Sequence, residues 1–124
     1  MTTSLPEGHQ HVMPYLVLVN AEGFLQFAKE VFDAEETYVM RREDGAIGHA
    51  QVKIGDSTIM FAEQTEQWAV HTAGMFVYVD NADQRYEKAI AAGAFSLMIP
   101  ADQPYGRSSG VRDPFGNVWW ITSL

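Results

Sequence analysis

"GVRDPFGNVWWITSL", residues 110–124, sets a tight turn in front of two adjacent tryptophans. Asp113-Pro114-Phe115-Gly116-Asn117 is turn chemistry, with proline fixing φ early and glycine accepting positive φ late. "RSSGVR" before it and "VWWITS" after it are β-rich, so the stretch reads as a hairpin. Side chains alternate across a strand, so Trp119 and Trp120 face opposite sides and cannot share one core. One indole packs inward, and the other needs a different explanation.

The same organisation extends through the chain. "VMPYLVLVN" predicts a first strand near Tyr15–Val19, starting at or after Pro14, which cannot donate to a ladder. Asn20 caps a helix whose Phe24, Phe27, Ala28, Val31 and Phe32 recur at helical spacing. "EETYVMRRED" and "AIGHAQVKIGDSTIMFAEQ" supply three strands, with turns at Glu43–Gly45 and Gly55-Asp56. The order then restarts. "GMFVYVDNADQRYEKAIAAGA" is strand, a cap at Asp80 or Asn81, and a helix presenting Ala82, Tyr86, Ala89 and Ile90 on one side. "FSLMIP" and the closing hairpin add three more strands. An offset of 60 lays Leu16–Val19 on Phe76–Val79, and an offset of 61 lays Gly55-Asp56 on Gly116-Asn117. The expectation is an α+β fold of two βαβββ modules, about 12–64 and 73–124, in one domain over 1–124. Their curved mixed sheets would surround a cleft.

Composition narrows the partners. The 124 residues carry a formal charge of −8, which repels a phosphate backbone, so no nucleic acid is expected. The chain has no cysteine, which excludes disulfides, thiol nucleophiles and thiolate metal sites. No apolar run approaches a membrane span and "MTTSLPEGHQ" lacks the order of a signal peptide, so the expected location is cytoplasmic with no membrane partner. Ser-His-Asp and P-loop patterns are missing, and Glu35 and Glu36 alternate across a strand rather than sharing a face.

On "PYLVLVNAEGFLQFAKEVFDAEE", "GHAQVKIGDSTIMF" and "YGRSSGVRDPFGNVWWITS", the sequence resembles the vicinal oxygen chelate superfamily. This is the glyoxalase, bleomycin-resistance and extradiol dioxygenase group, and the likeness is greatest to its small PhnB-like and bleomycin-resistance-like members. The resemblance implies a homodimer and a cleft that, in the family's metalloenzymes, holds a divalent ion at four inward positions. These fall near Pro14, Ile59, Gly74 and on Trp120 here, none a metal-ligating side chain, so neither metal nor cofactor is expected. The resemblance also implies that Trp120 faces the cleft, while Trp119 packs on the helix side.

A metal-free small-molecule binder is therefore the expected function, sequestering an aromatic or cationic ligand such as an antibiotic. Trp120 would stack on the ligand, Trp68 or Tyr78 would wall the site, and His49, Gln51, Tyr105 and Arg107 would orient polar groups. His9 and His11 read as a solvated arm. The alternative is an enzyme of the same superfamily acting on a small carbonyl or ring substrate. His49 is its one candidate base, a thin catalytic set.

Overall fold

In the computed structural model, which describes residues 2–124, the elements are β1 (Tyr15–Leu18), α1 (Ala21–Phe32), β2 (Glu35–Arg41), β3 (Ile47–Ile54) and β4 (Ser57–Glu63). The second half repeats the order with β5 (Gly74–Tyr78), α2 (Ala82–Ala91), β6 (Phe95–Gln103), β7 (Gly106–Arg112) and β8 (Val118–Ser123). They form two four-stranded mixed sheets, ordered β1-β4-β3-β2 and β5-β8-β7-β6. Each helix leaves one edge strand and returns to the other, so it crosses a face of its sheet and covers it. The opposite face is left open.

Local chemistry explains both helices. Asn20 sits in the left-handed region (φ 68°) and its side chain accepts from Gly23 N at 3.0 Å, while the Glu63 carboxylate takes the N–H groups of Asn20 and Ala21. The α1 side chains predicted to face inward are all buried. In α2 the cap is Asn81, and the buried stripe is Ala82, Arg85 and Ala89, with Tyr86 partly buried against the core and Ile90 left off it. Ile90 is 37% exposed, while the position of Arg85 buries a guanidinium. Arg85 donates to Val31 O (3.2 Å), Asp33 (2.8 Å) and Asp80 (3.1 Å). Hydrogen bonding to Arg85 in turn holds both carboxylates below the usual range.

The modules meet through their helices. Trp119 of β8 lies against α1, its ring centre 4.5 Å from Phe32 and 6.4 Å from Phe24, while Phe115 of the preceding turn packs on Phe24 and Phe27. One continuous apolar core therefore runs between the sheets' covered faces.

Strand pairing corrects the internal repeat. Tyr15 pairs with Met60 and Phe76 with Trp120, so β1 maps on β5 with offset 61 and β4 on β8 with offset 60. The sequence offsets were the reverse. Leu16 is a covered-face residue and its counterpart is Val77, not the exposed Phe76. Similarly, Ile59 is buried on the covered face and corresponds to Trp119, because the β7–β8 turn is one residue longer relative to the strands it joins. Strand β1 also stops at Leu18, one residue before the sequence-based end. Among the described residues no helix is long and apolar enough to cross a membrane.

These burials set an expected difference between the adjacent indoles, which are 1% and 39% exposed respectively. Trp119→Ala should cost about 3–5 kcal/mol in chemical denaturation, as large core truncations do. Trp120→Ala should cost well under half as much; the opposite order would reverse the two faces.

Candidate functional site

The open faces bear the sequence-predicted site residues other than Arg107 and Trp68, split between the sheets. On the first, β1 contributes Tyr15 and Val17, β2 Tyr38 and Met40, β3 His49 and Gln51, and β4 Met60. Here side chains join in a directional chain. His9 Nε2–H donates to Gln51 Oε1 at 3.0 Å, and Gln51 Nε2–H donates to His49 Nε2 at 3.0 Å. An amide nitrogen only donates, so His49 Nε2 is unprotonated and its Nδ1–H donates to Tyr15 Oη at 3.2 Å. The phenolic hydrogen of Tyr15 is then free to donate outward. Burial, and secondarily the charge of His9, lower the His49 pKa from 6.5 and favour this neutral form.

His9 is thus not on a solvated arm. Gln10 binds Thr58 through both amide atoms, accepting from its N–H (3.2 Å) and donating to its carbonyl (2.8 Å), and the Thr58 hydroxyl donates to Gly8 O. These bonds lay residues 8–10 against the start of β4. Histidine and glutamine side chains 42 positions apart in sequence carry no local signal of their contact.

On the second sheet Trp120, Phe76, Tyr78 and Tyr105 share the open side. The Phe76 ring centre lies 5.3 Å from Tyr78 and 6.1 Å from Tyr105. Trp120 is fixed by Gly110, its cross-strand partner: a Cβ there would fall 2.4 Å from the indole, so only glycine lets the ring lie flat on β7. Ser108 and Thr122 hydroxyls bond beneath at 2.8 Å.

Arg107 does not join this face. It points to the covered side, where its guanidinium binds Asp83 of α2 at 2.9 Å and Asp102 at 3.3 Å. Alternation places it opposite Ser108, and the acid-rich α2 captures it. The Asp83 hydrogen bond raises its already high pKa, leaving a fully engaged cation. Trp68 sits elsewhere, in a loop hooked to β1 by two backbone bonds between Val17 and His71. That loop walls a cavity of about 620 Å³ on the first sheet, lined also by Tyr15 and Arg42. Arg42 escaped the sequence reading, although alternation after β2 offers the signal. Arg41 binds Glu22 of α1, so its neighbour turns to the other side.

The donor set does not suit a divalent ion. Equivalent open positions carry Tyr15, Met60, Phe76 and Trp120, and among the described residues no three His, Asp or Glu side chains converge.

Residues 8–121 match the model of the Glyoxalase/Bleomycin resistance protein/Dioxygenase superfamily, and the chain belongs to that superfamily. An uncharacterised protein of Mycobacterium bovis is 29% identical over 118 residues, covering 86% of this chain and 78% of its own. Among solved structures, TioX from Micromonospora sp. ML1 superposes with TM-score 0.75 at 24% identity, covering 92% of this chain and 98% of TioX. The PhnB protein of Bacillus cereus gives 0.76 at 19%, covering 93% and 100%. TnmS3, an antibiotic binding protein from Streptomyces sp. CB03234, gives 0.69 at 17%, covering 93% and 98%. These likenesses establish a shared fold.

The hydrogen-bond chain has a pH consequence. A native state that binds the His49 proton less tightly than the unfolded chain loses stability as pH falls below about 6.5 through the native pKa. Titration of His49 by NMR should give a pKa below 6.5, and His9→Ala should raise it toward that value by removing a neighbouring charge and some burial. An unchanged value in the variant would mean that His9 does not act on His49.

Proposed function

We propose that this protein is a metal-free small-molecule-binding member of its superfamily, acting as a homodimer that holds an aromatic ligand against the open sheet faces. The observation that carries this reading is the second sheet's uncovered aromatic surface, where Phe76 is 49%, Tyr78 65% and Trp120 39% exposed. A cluster of exposed aromatic side chains supports a binding role. The Trp120 ring lies over Gly110, which leaves its outer face to stack on a planar molecule. Antibiotic binding, stated of TnmS3, supports the ligand class.

The way the modules meet supports dimerisation. Because they pack helix to helix, a chain leaves one polar-aromatic face on its first sheet and one aromatic face on its second. A two-fold axis can apply the first face of each copy to the second face of the other, giving two identical clefts. His49 and Gln51 would then face Trp120 and Tyr78 of the other copy. An enzyme would lean on His49, but both ring nitrogens are occupied within the chain, so Tyr15 meets a ligand first.

Sedimentation should give twice the 13.9 kDa chain mass at micromolar concentration, with metal well below one per chain in the same preparation. A 13.9 kDa species would overturn the dimer, and a tightly held equivalent of metal would overturn the metal-free assignment. Screening planar antibiotics and dyes by tryptophan fluorescence should find ligands whose signal is lost in Trp120→Ala while the fold persists. Ligands that bind this variant unchanged would remove Trp120 from the site.

A further inference from the structure

The cavity beside Trp68 contains an arginine whose charge the fold does not use. Arg41, Arg85 and Arg107 each bind carboxylates on the covered faces or helices. Arg42 has no carboxylate within ion-pair distance among the described residues. Its contact is one long bond from Nη2 to Glu63 O at 3.3 Å, and its Nε–H is shielded from water with no partner. That buried Nε–H is closed to a ligand as it is to water, so a ligand acceptor would meet the Nη donors, of which the fold engages only one. The acidic side chain in the lining, Glu63, makes no ion pair with Arg42 and turns both carboxylate oxygens to the N-terminus of α1.

A second donor opens on the same cavity. Tyr15 lines it, and because Tyr15 Oη accepts from His49 Nδ1–H, its own hydrogen must point elsewhere. Accepting that bond polarises the phenol and strengthens its outward donation. Apolar walls stand beside these donors: Val17 below and the indole of Trp68, 62% exposed, at the rim. A cation with a free N–H, a neutral hydroxyl donor and an aromatic wall together match one chemistry.

We propose that this cavity is a carboxylate site, which takes the anionic head of a small aromatic acid between Arg42 and Tyr15 with its ring against Trp68. This deepens the small-molecule reading above, and rests on it only in taking the open face as a ligand surface. Arginine supplies charge-assisted N–H bonds to carboxylate oxygens, and the tyrosine supplies the further donor that a neutral amide isostere would exploit less well. Arg107, expected from the sequence to orient polar groups, lies on the covered side, whereas Arg42 lies on the open side of its sheet.

The test uses 2-naphthoate and its uncharged isostere 2-naphthamide on the full chain. Naphthoate should shift the Arg42 Nε–H resonance and bind about tenfold more tightly than the amide, in keeping with a charged hydrogen bond. Arg42→Gln should abolish that preference, Tyr15→Phe should weaken naphthoate several-fold, and Arg107→Gln should leave it unchanged. No movement of the Arg42 resonance at millimolar naphthoate, or an undiminished preference in Arg42→Gln, would overturn the proposal. The wild-type resonance shift decides the matter even if a variant folds poorly. Because it is read on the first sheet, it is separable from the Trp120 fluorescence test: naphthoate binding at Arg42 with no Trp120-dependent ligand would sustain this site alone.

Discussion

A single buried carboxylate organises the closing hairpin and, through it, the joint between the two halves. Asp113 is 1% exposed and accepts four N–H groups: the backbones of Phe115 and Asn117, the Asn117 amide, and the Trp119 indole at 2.8 Å. A charge taken out of water needs that many donors, and here each has a structural task. Two shape the turn. The Asn117 amide is oriented so that its oxygen accepts from Ala73 N ahead of β5, and the indole is aimed so that its ring enters the core against Phe32 and Phe24. The position of Trp119 in the first module's territory thus depends on a hydrogen bond made in the second.

Arg85 is the other half of the joint. It ties the end of α1 to the start of α2 through Val31 O, Asp33 and Asp80, so the two covered faces are locked by one cation and one anion, both supplied by the second module. Breaking a buried charge from its partners costs far more than losing a surface pair. The rigidity this confers is spent on orientation. With the helices facing inward, both open faces are turned outward, and each carries its own chemistry: a polar chain with a cationic cavity on the first sheet, a row of rings on the second.

The fold was legible because its signals are local and periodic. Alternation separated Trp119 from Trp120, helical spacing gave the buried face of α1, and the repeated element order gave two modules. What escaped was set by tertiary choices. Arg107 and Arg42 are both arginines near strand ends, and only the acid on α2 decides that the first is consumed and the second left open. His49 and Gln51 were found on one face, but their partners Tyr15 and His9 come from a strand paired across the sheet and from a docked arm. The repeat offsets failed because hairpins of unequal length shift register by one residue, which inverts a face.

The glycine beneath Trp120 has an entropic meaning. A tryptophan on an open sheet ordinarily samples several rotamers, and ordering it at the moment of binding subtracts from affinity. Gly110 removes the side chain that would compete for the space under the indole, so the ring settles on bare backbone in the free protein. Its conformational freedom is surrendered during folding, when the whole chain's cooperativity absorbs the loss, instead of at each encounter with a ligand.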